Sequence, residues 1–123
     1  MKVLIVDDNE EIAYIVQEII ENENYRARTA RDSEDGYLAY LHFRPDLVIT
    51  DIHMPGKNGF ELMKGIRMHN PKIKTIYMSS YLSSRFRSLL EQEKKRYPVS
   101  FLRKPFSMVK LIELVSKNLR YLR

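Results

Sequence analysis

Short apolar runs in this sequence end repeatedly in side chains that could carry out chemistry. The residues that directly follow these runs are acids, hydroxyls and one lysine: Asp7, Asp8, Asp51, Ser79, Ser80 and Lys104. A single aspartate in such a place most often caps the helix that follows it. Several aspartates at one place are different, because neighbouring carboxylates raise one another's pKa unless a cation neutralises them.

An oxygen-rich cluster of this kind suits a hard divalent cation. Mg²⁺ binds one or two carboxylates, keeps several waters and accepts a phosphate oxygen, so we expect Mg²⁺ as the cofactor. Zinc is disfavoured, since His42, His53 and His69 are scattered over predicted helix and loop positions. A carboxylate surrounded by Mg²⁺, a lysine and a hydroxyl is suited to phosphoryl transfer, with Asp51 as the nucleophile.

The spacing of apolar residues predicts the elements that must bring these side chains together. Apolar, β-branched runs predict five strands, and helical spacing predicts a helix after each strand. The predicted strands are Lys2–Val6, Tyr25–Thr29, Asp46–Thr50, Ile73–Met78 and Val99–Leu102. The first predicted helix is capped by Asn9 and carries Ile12, Ile15, Val16 and Ile19. The other four predicted helices are Ser33–Phe43, Gly59–His69, Ser84–Arg96 and Met108–Leu122.

This alternation predicts an α/β fold: a five-stranded parallel sheet with helices on both faces, doubly wound and flavodoxin-like. The most continuous apolar runs, Val3–Val6 and Leu47–Ile49, belong in the middle of the sheet, and the strand order 2-1-3-4-5 places them there. The ligand site of such a sheet lies beyond the carboxyl ends of its strands, between the first and the third. The candidate residues therefore map to one edge of the sheet.

Length and composition restrict the class of protein. The chain has 123 residues, of which 44% are hydrophobic and 30% are charged, and this fits a single domain over residues 1–123. Because the sequence contains no cysteine, thiol catalysis and thiolate metal sites are excluded. No apolar run approaches the length of a membrane span, so we expect a cytoplasmic protein without a membrane partner.

Positive charge is concentrated in the last third of the sequence. Residues 85–123 contain 11 Lys and Arg against 3 Asp and Glu, whereas residues 1–84 contain 10 against 13. These charges alternate with apolar helix positions, so a solvated helical surface is the simpler interpretation and a polyanion partner is the other. No recognition helix with its scaffold accompanies them, so nucleic acid is not expected as a partner of this domain.

The same residues match a known family in register along essentially the whole chain. Asp7-Asp8 follow the first strand, Asp51 lies inside Val-Ile-Thr-Asp-Ile-His-Met-Pro-Gly-Lys-Asn-Gly, Ser79 follows the fourth strand, and Phe101-Leu-Arg-Lys104-Pro105-Phe106 follows the fifth. In this combination the sequence resembles the receiver domain of two-component response regulators.

The resemblance implies a phosphoacceptor switch. Asp51 would take a phosphoryl group from a sensor histidine kinase or phosphotransfer protein, and the domain would catalyse its own phosphorylation and dephosphorylation. Asp8, Asp51 and the backbone carbonyl of His53 would bind Mg²⁺, with Asp7 acting through a coordinated water. Lys104 would pair with the phosphate, and with Asp51 before phosphorylation.

The resemblance also implies how phosphorylation changes the surface of the domain. The Ser79 hydroxyl would move to the phosphoryl oxygen and the Phe101 ring would turn inward, which alters the surface of helix 4, strand 5 and helix 5. That surface would control a partner or output domain, or form a homodimer. The Lys104–Pro105 bond is typically cis in this family.

Two bulky side chains stand where the family controls the lifetime of the acyl phosphate. His53 and Tyr81 lie two positions after Asp51 and Ser79, and flank the path of the attacking water in the family pattern. We expect them to slow hydrolysis. The alternative, that both simply cap a loop, is equally open.

Several positions depart from the family pattern. Ser80 stands where a small Ala or Gly is usual, and the stretch between Ser79 and Lys104 is longer, with Arg96-Tyr97-Pro98-Val99 in place of the usual Gly-Ala. We therefore expect helix 4 or its exit loop to be altered. Gly56 and Gly59 are interpreted as turn glycines with positive φ.

Two helices carry predictions about which face is buried. In the second helix, Tyr37, Leu38 and Leu41 are expected to face inward. In the fifth, a helical projection places Met108, Val109, Ile112, Val115 and Leu119 inward. Leu114 and Tyr121 then fall outside, beside Lys110 and Lys117, which suggests a partner or dimer surface.

Two other functions share these residues. One is a docking or dimerisation module of the same fold that acts without phosphorylation through the basic surface of helices 4 and 5. The intact set of Asp7, Asp8, Asp51, Ser79 and Lys104 argues against it. The other is a metal-dependent phosphatase or nuclease, which would need a second base to activate its nucleophile, and no such base is evident.

Overall fold

A computed structural model describes residues 1–120 as ten alternating strands and helices. The strands are β1 (Lys2–Val6), β2 (Arg26–Ala30), β3 (Leu47–Asp51), β4 (Lys74–Ser79) and β5 (Val99–Arg103). The helices are α1 (Glu10–Asn22), α2 (Ser33–Phe43), α3 (Gly59–Arg67), α4 (Ser84–Arg96) and α5 (Met108–Leu119). No helix within this described range is long and apolar enough to cross a membrane.

All five strands are parallel, and they pair in the order β2-β1-β3-β4-β5, which confirms the predicted fold class and strand order. The central strands β1 and β3 are buried on both faces, as their continuous apolar runs predicted. Because β1 pairs with β2 on one side and β3 on the other, the strand order reverses at the carboxyl end of β1.

Two helical layers cover the sheet and divide the core. Helices α1 and α5 pack on the face that presents Val3 and Ile5, whereas α2, α3 and α4 pack on the face that presents Leu4 and Val6. Each helix begins at a polar N-cap residue whose side chain accepts a backbone hydrogen bond: Asn9, Asp32, Asn58, Ser83 and Ser107. These caps determine where each helix starts and which face it turns to the sheet.

The predicted inward face of α2 was wrong at two positions. Leu38 is 50% exposed and Leu41 is also exposed, whereas Tyr37 packs partly against the core. The buried positions are the small residues Gly36 and Ala39, together with Tyr40. A Cβ atom on Gly36 would lie 3.1 Å from the Val6 side chain, so the small residues mark the line along which α2 approaches the sheet.

The predicted inward face of α5 is confirmed at Val115 and Leu119 and was wrong at Met108 and Val109. Leu111 and Asn118 are buried with Val115 and Leu119, whereas Met108 and Val109 are exposed. Asn118 can be buried because its Nδ2 donates to the Leu114 carbonyl at 2.8 Å and to Ser100 Oγ at 3.4 Å.

The prediction that Leu114 and Tyr121 form an outward apolar pair on α5 was wrong for Leu114. Leu114 is partly buried and packs against the core. Tyr121, the second member, lies outside the described residues.

A buried polar cluster attaches α4 to α3 and β4. The Arg67 side chain on α3 is 6% exposed, and its Nη2 lies 3.0 Å from Glu93 Oε1 on α4. The Tyr77 hydroxyl on β4 donates to the same carboxylate, and burial raises the pKa of Tyr77 so that it stays protonated. Tyr97, the C-cap of α4, lies with its ring centroid 4.1 Å from Arg67 Cζ. These four residues form the α4 anchor.

Removing the acid of the α4 anchor should destabilise the protein strongly. We predict that Glu93→Ala lowers the free energy of unfolding by about 3 kcal/mol, because Arg67 is left as a buried charge without its carboxylate. The matched control is Glu91→Ala, since Glu91 pairs with Lys94 on the solvent side of the same helix at 3.9 Å and should lose at most about 1 kcal/mol. Urea denaturation measures both variants, and equal losses would contradict the role of the anchor.

Candidate functional site

Four charged side chains from three strand ends meet at one edge of the sheet. Oxygen atoms of Asp7, Asp8 and Asp51 all lie within 4.8 Å of one another. The Lys104 ammonium donates to Asp7 Oδ2 at 2.9 Å and to Asp51 Oδ2 at 3.3 Å. Asp7 and Asp51 are buried while Asp8 is exposed, so the cluster opens to solvent on the Asp8 side.

Backbone hydrogen bonds at the strand ends hold this edge together. The Lys104 amide donates to the Ser79 carbonyl at 2.9 Å, which keeps the chain paired where β5 ends beside β4. The Asp7 amide donates to Ala30, and the Ile52 amide donates to Met78 in the same way. The side chains that leave these strands therefore start from fixed neighbouring positions.

Gly59 packs closely against the backbone of Asp51. A Cβ atom at Gly59 would lie 2.5 Å from the Asp51 carbonyl oxygen, so only glycine allows the first turn of α3 to approach β3 this closely. The prediction of positive φ is confirmed at Gly56 (φ 78°) and wrong at Gly59, which is the first residue of α3. A prediction from turn chemistry could not detect this contact, because it depends on two segments packing together.

The electrostatics of the cluster favour an additional cation. Burial raises the pKa of Asp51; attraction to Lys104 opposes this, and repulsion from Asp7 and Asp8 adds to it, so that the pKa remains above the ordinary value. For Lys104, burial lowers the pKa but the hydrogen bond to Asp7 and the attraction of Asp51 outweigh it, so the pKa is raised and the ammonium is charged. One ammonium thus leaves the three carboxylates incompletely neutralised.

Ser79 and His53 share one hydrogen-bond acceptor above the cluster. The buried Ser79 hydroxyl donates to the Tyr81 carbonyl at 2.6 Å and accepts from the Tyr81 amide at 3.1 Å. His53 Nε2 lies 3.0 Å from the same carbonyl, and its ring lies 5.2 Å from that of Phe86. Sequence reasoning did not predict this shared acceptor, because a backbone carbonyl leaves no signal in residue types.

The remaining predicted site features are the side chains of Phe101, Tyr81 and His53 and the peptide bond after Lys104. Phe101 pairs in register with Tyr77 and packs, half-buried, against the core between the sheet and α2, α3 and α4. The Tyr81 side chain is exposed, as is His53. The Lys104–Pro105 peptide bond is cis.

Comparison with known proteins identifies the class. The family model described as response regulator receiver domain matches residues 3–116. Protein CcdB of Bacillus subtilis is 35% identical over 117 residues, covering 94% of this chain and 95% of that protein. Sporulation initiation phosphotransferase F of the same organism is 28% identical, covering 96% and 93%. The chain therefore belongs to the receiver domain family of two-component response regulators.

Solved structures agree with this assignment. Chemotaxis protein CheY4 of Vibrio cholerae superposes with a TM-score of 0.85 at 27% identity, over 96% of this chain and 98% of that one. Some curated relatives are longer, since the chain spans 26% of one and 51% of another.

Neutralising the central carboxylate should stabilise the protein. Because the pKa of Asp51 is raised in the folded state, ionisation at this position favours the unfolded chain, and stability falls as the pH rises through the carboxylate range. We predict that Asp51→Asn increases the free energy of unfolding by about 1 kcal/mol at neutral pH without added Mg²⁺. The gain should vanish below about pH 4, the ordinary pKa of aspartate.

Urea denaturation across this pH range, without divalent cations, measures the effect. Asp46→Asn is the matched control, because Asp46 lies just before β3 at the opposite end of the strand and accepts a hydrogen bond from the Lys2 amide. This variant should show no gain. A loss of stability in Asp51→Asn at neutral pH would show that the carboxylate is not under electrostatic strain.

Proposed function

We propose that this domain is the phosphoacceptor switch of a two-component phosphorelay, with Asp51 as the acceptor. The observation that carries the proposal is the position of the Asp51 carboxylate: buried, hydrogen-bonded to Lys104, and crowded by two further carboxylates. A divalent cation would relieve this crowding and would also neutralise the oxygens of an incoming phosphoryl group. Membership of the receiver domain family supports the same role.

The transfer itself needs little from the protein beyond positioning. An Asp51 oxygen attacks the phosphorus of a donor phosphohistidine as the P–N bond breaks, and the bonding electrons leave with the imidazole nitrogen. Lys104 already bridges Asp7 and Asp51, so its ammonium can follow the charge onto a phosphoryl oxygen. Hydrolysis later returns the carboxylate and releases inorganic phosphate.

The acidic cluster fits Mg²⁺. Three carboxylates within 4.8 Å supply the hard oxygen ligands that this ion prefers, and the exposed side of Asp8 leaves room for the waters it keeps. Asp8, Asp51 and the His53 carbonyl would hold the ion, and Asp7 would act through a coordinated water. When bound, Mg²⁺ would neutralise the carboxylates and the phosphoryl oxygens.

Ser79 and Phe101 would transmit the change. The Ser79 hydroxyl must leave the Tyr81 carbonyl before it can donate to a phosphoryl oxygen, and His53 Nε2 remains to satisfy that carbonyl. The space released behind Ser79 would be taken by the half-buried Phe101 ring, which lies in the same layer. Phosphorylation would thereby alter the α4-β5-α5 surface and so control a partner or output domain.

The partners follow from this role. The donor would be a sensor histidine kinase or a phosphotransfer protein, and the name of the similar phosphotransferase F in Bacillus subtilis is consistent with a relay. A homodimer through α4, β5 and α5 stays a prediction. Leu114 does not contribute to it as an exposed apolar residue, because it packs against the core.

Phosphoryl incorporation at Asp51 tests the proposal directly. We predict that acetyl phosphate with Mg²⁺ adds one phosphoryl group to the wild-type chain, measured by intact mass, and that Asp51→Asn takes up none. Asp46→Asn should be labelled like the wild type, since it removes a carboxylate at the other end of β3. Omission of Mg²⁺ should abolish labelling of both.

A second experiment, with a phosphoryl analogue, separates the switch from a phosphorylation-independent docking module. Beryllofluoride with Mg²⁺ should shift the amide NMR signals of Ser79, Phe101 and α4 in the wild type and leave those of Asp51→Asn unchanged. A wild-type chain that takes up no phosphoryl group and shows no shift would favour the docking module.

His53 and Tyr81 should prolong the life of the acyl phosphate. Both side chains are exposed on adjacent loops that the His53–Tyr81 hydrogen bond joins beside Ser79, where they can restrict the attacking water. We predict that the double variant His53→Ala, Tyr81→Ala dephosphorylates several-fold faster than the wild type. Lys57→Ala, an exposed change in the loop after Asp51, should have no effect. The rate of phosphate release measures all three chains, and an unchanged double variant would mean that the two residues only stabilise the loops.

A further inference from the structure

A surface groove lies between α3 and α4, away from the acidic cluster. Its volume is about 520 Å³. Its lining includes three cations, Lys64, Arg85 and Arg96, and three apolar or aromatic residues, Phe60, Leu89 and Tyr97. We call it the α3–α4 groove. Phosphoacceptor chemistry makes no use of it.

The cations of the groove have no acidic partners. Within residues 1–120, no carboxylate lies within 4 Å of Lys64, Arg85 or Arg96. Arg85 and Arg96 instead lie near the rings of Phe86 and Tyr97. Three unpaired cations around one concavity create a local positive potential that attracts anionic groups.

The acids of the groove do not cancel this charge. Glu61 accepts from the Asn58 amide at 2.9 Å as part of the capping box that begins α3. Glu93 belongs to the α4 anchor, where it pairs with Arg67 and accepts from Tyr77. Glu93 is offset by Arg67, and Glu61 alone cannot balance Lys64, Arg85 and Arg96, so the groove keeps a net positive charge. The α4 anchor holds the two walls of the groove at a fixed separation.

The floor of the groove is apolar. Leu89 and Tyr97 are partly buried, and Phe60 is buried between them and the sheet residue Tyr77. An aliphatic side chain that enters the groove would cover this floor and lose contact with water, which favours binding. A ligand that matches the groove thus combines negative charges with apolar side chains.

We propose that the α3–α4 groove binds an acidic segment of a partner protein, in which carboxylates meet Lys64, Arg85 and Arg96 and an apolar side chain covers Leu89 and Tyr97. Arginine is suited to such carboxylate contacts because its guanidinium binds both oxygens at once. A nucleic acid fits less well, because its sugar-phosphate backbone carries no aliphatic side chain that could cover the apolar floor at Leu89.

A labelled peptide tests this surface independently of phosphorylation. The probe is a fluorescent 12-residue peptide of alternating Glu and Leu, titrated with the unphosphorylated full chain and followed by fluorescence anisotropy. We expect the Lys64→Glu, Arg85→Glu variant to bind about tenfold more weakly than the wild type. A peptide with Ala in place of Leu should also bind more weakly.

The matched control carries the same charge change on the other layer. Lys110→Glu, Lys117→Glu reverses two exposed cations in the first and last turns of α5, as Arg85 and Lys64 occupy the first turn of α4 and the last turn of α3. It should bind within about twofold of the wild type, and thermal unfolding checks that both variants are folded.

Three results would overturn the proposal. One is an equal loss of affinity in the two double variants, which would reflect net charge alone. Another is undiminished binding of the Ala peptide, which would show that the apolar floor takes no part. The third is tighter binding of a single-stranded DNA oligonucleotide of equal charge that is lost in Lys64→Glu, Arg85→Glu, which would make nucleic acid the occupant.

Discussion

The sharing of one ammonium among crowded carboxylates is the interaction on which the functional edge of this domain depends. Lys104 reaches both Asp7 and Asp51 from the end of the edge strand β5, so the ends of β1, β3 and β5 are joined by charge. This pairing compensates only part of the cost of burying two carboxylates beside a third. The cluster therefore keeps a surplus of negative charge, which favours binding of a cation.

Neighbouring residues fix the positions of the groups in this cluster. Gly59 allows α3 to start directly against the Asp51 carbonyl, and the Asn58–Glu61 capping box determines that start. On the other side, the Tyr81 carbonyl accepts from the Ser79 hydroxyl and interacts with His53, so it has two side-chain partners. Paired strand ends and a carbonyl with two side-chain partners thus lie side by side, and the proposed switch would use both.

Helix α4 joins two surfaces of opposite charge. Its anchor to α3 and β4 is a buried Arg67–Glu93–Tyr77 cluster, which is costly to desolvate and specifies one position of the helix. Because Tyr77 lies two residues before Ser79 on β4, the anchor attaches the helix to the strand that carries the Ser79 hydroxyl. The same anchor supports the α3–α4 groove, so the basic surface and the acidic cluster are connected through one strand and one helix.

Periodicity and residue type determined much of this protein before any coordinates: ten elements, the strand order, and the gathering of Asp7, Asp8, Asp51 and Lys104 at one edge all follow from apolar runs that end in polar residues. These features are local or follow from the handedness of parallel crossovers, so sequence carries them. Only tertiary packing decided which faces α2 and α5 bury, that Gly59 is required by a contact and not by its φ, and that Arg67, Tyr77, Glu93 and Tyr97 form one cluster. Such contacts join residues far apart in the chain, and their energies depend on burial and neighbours that no single segment specifies.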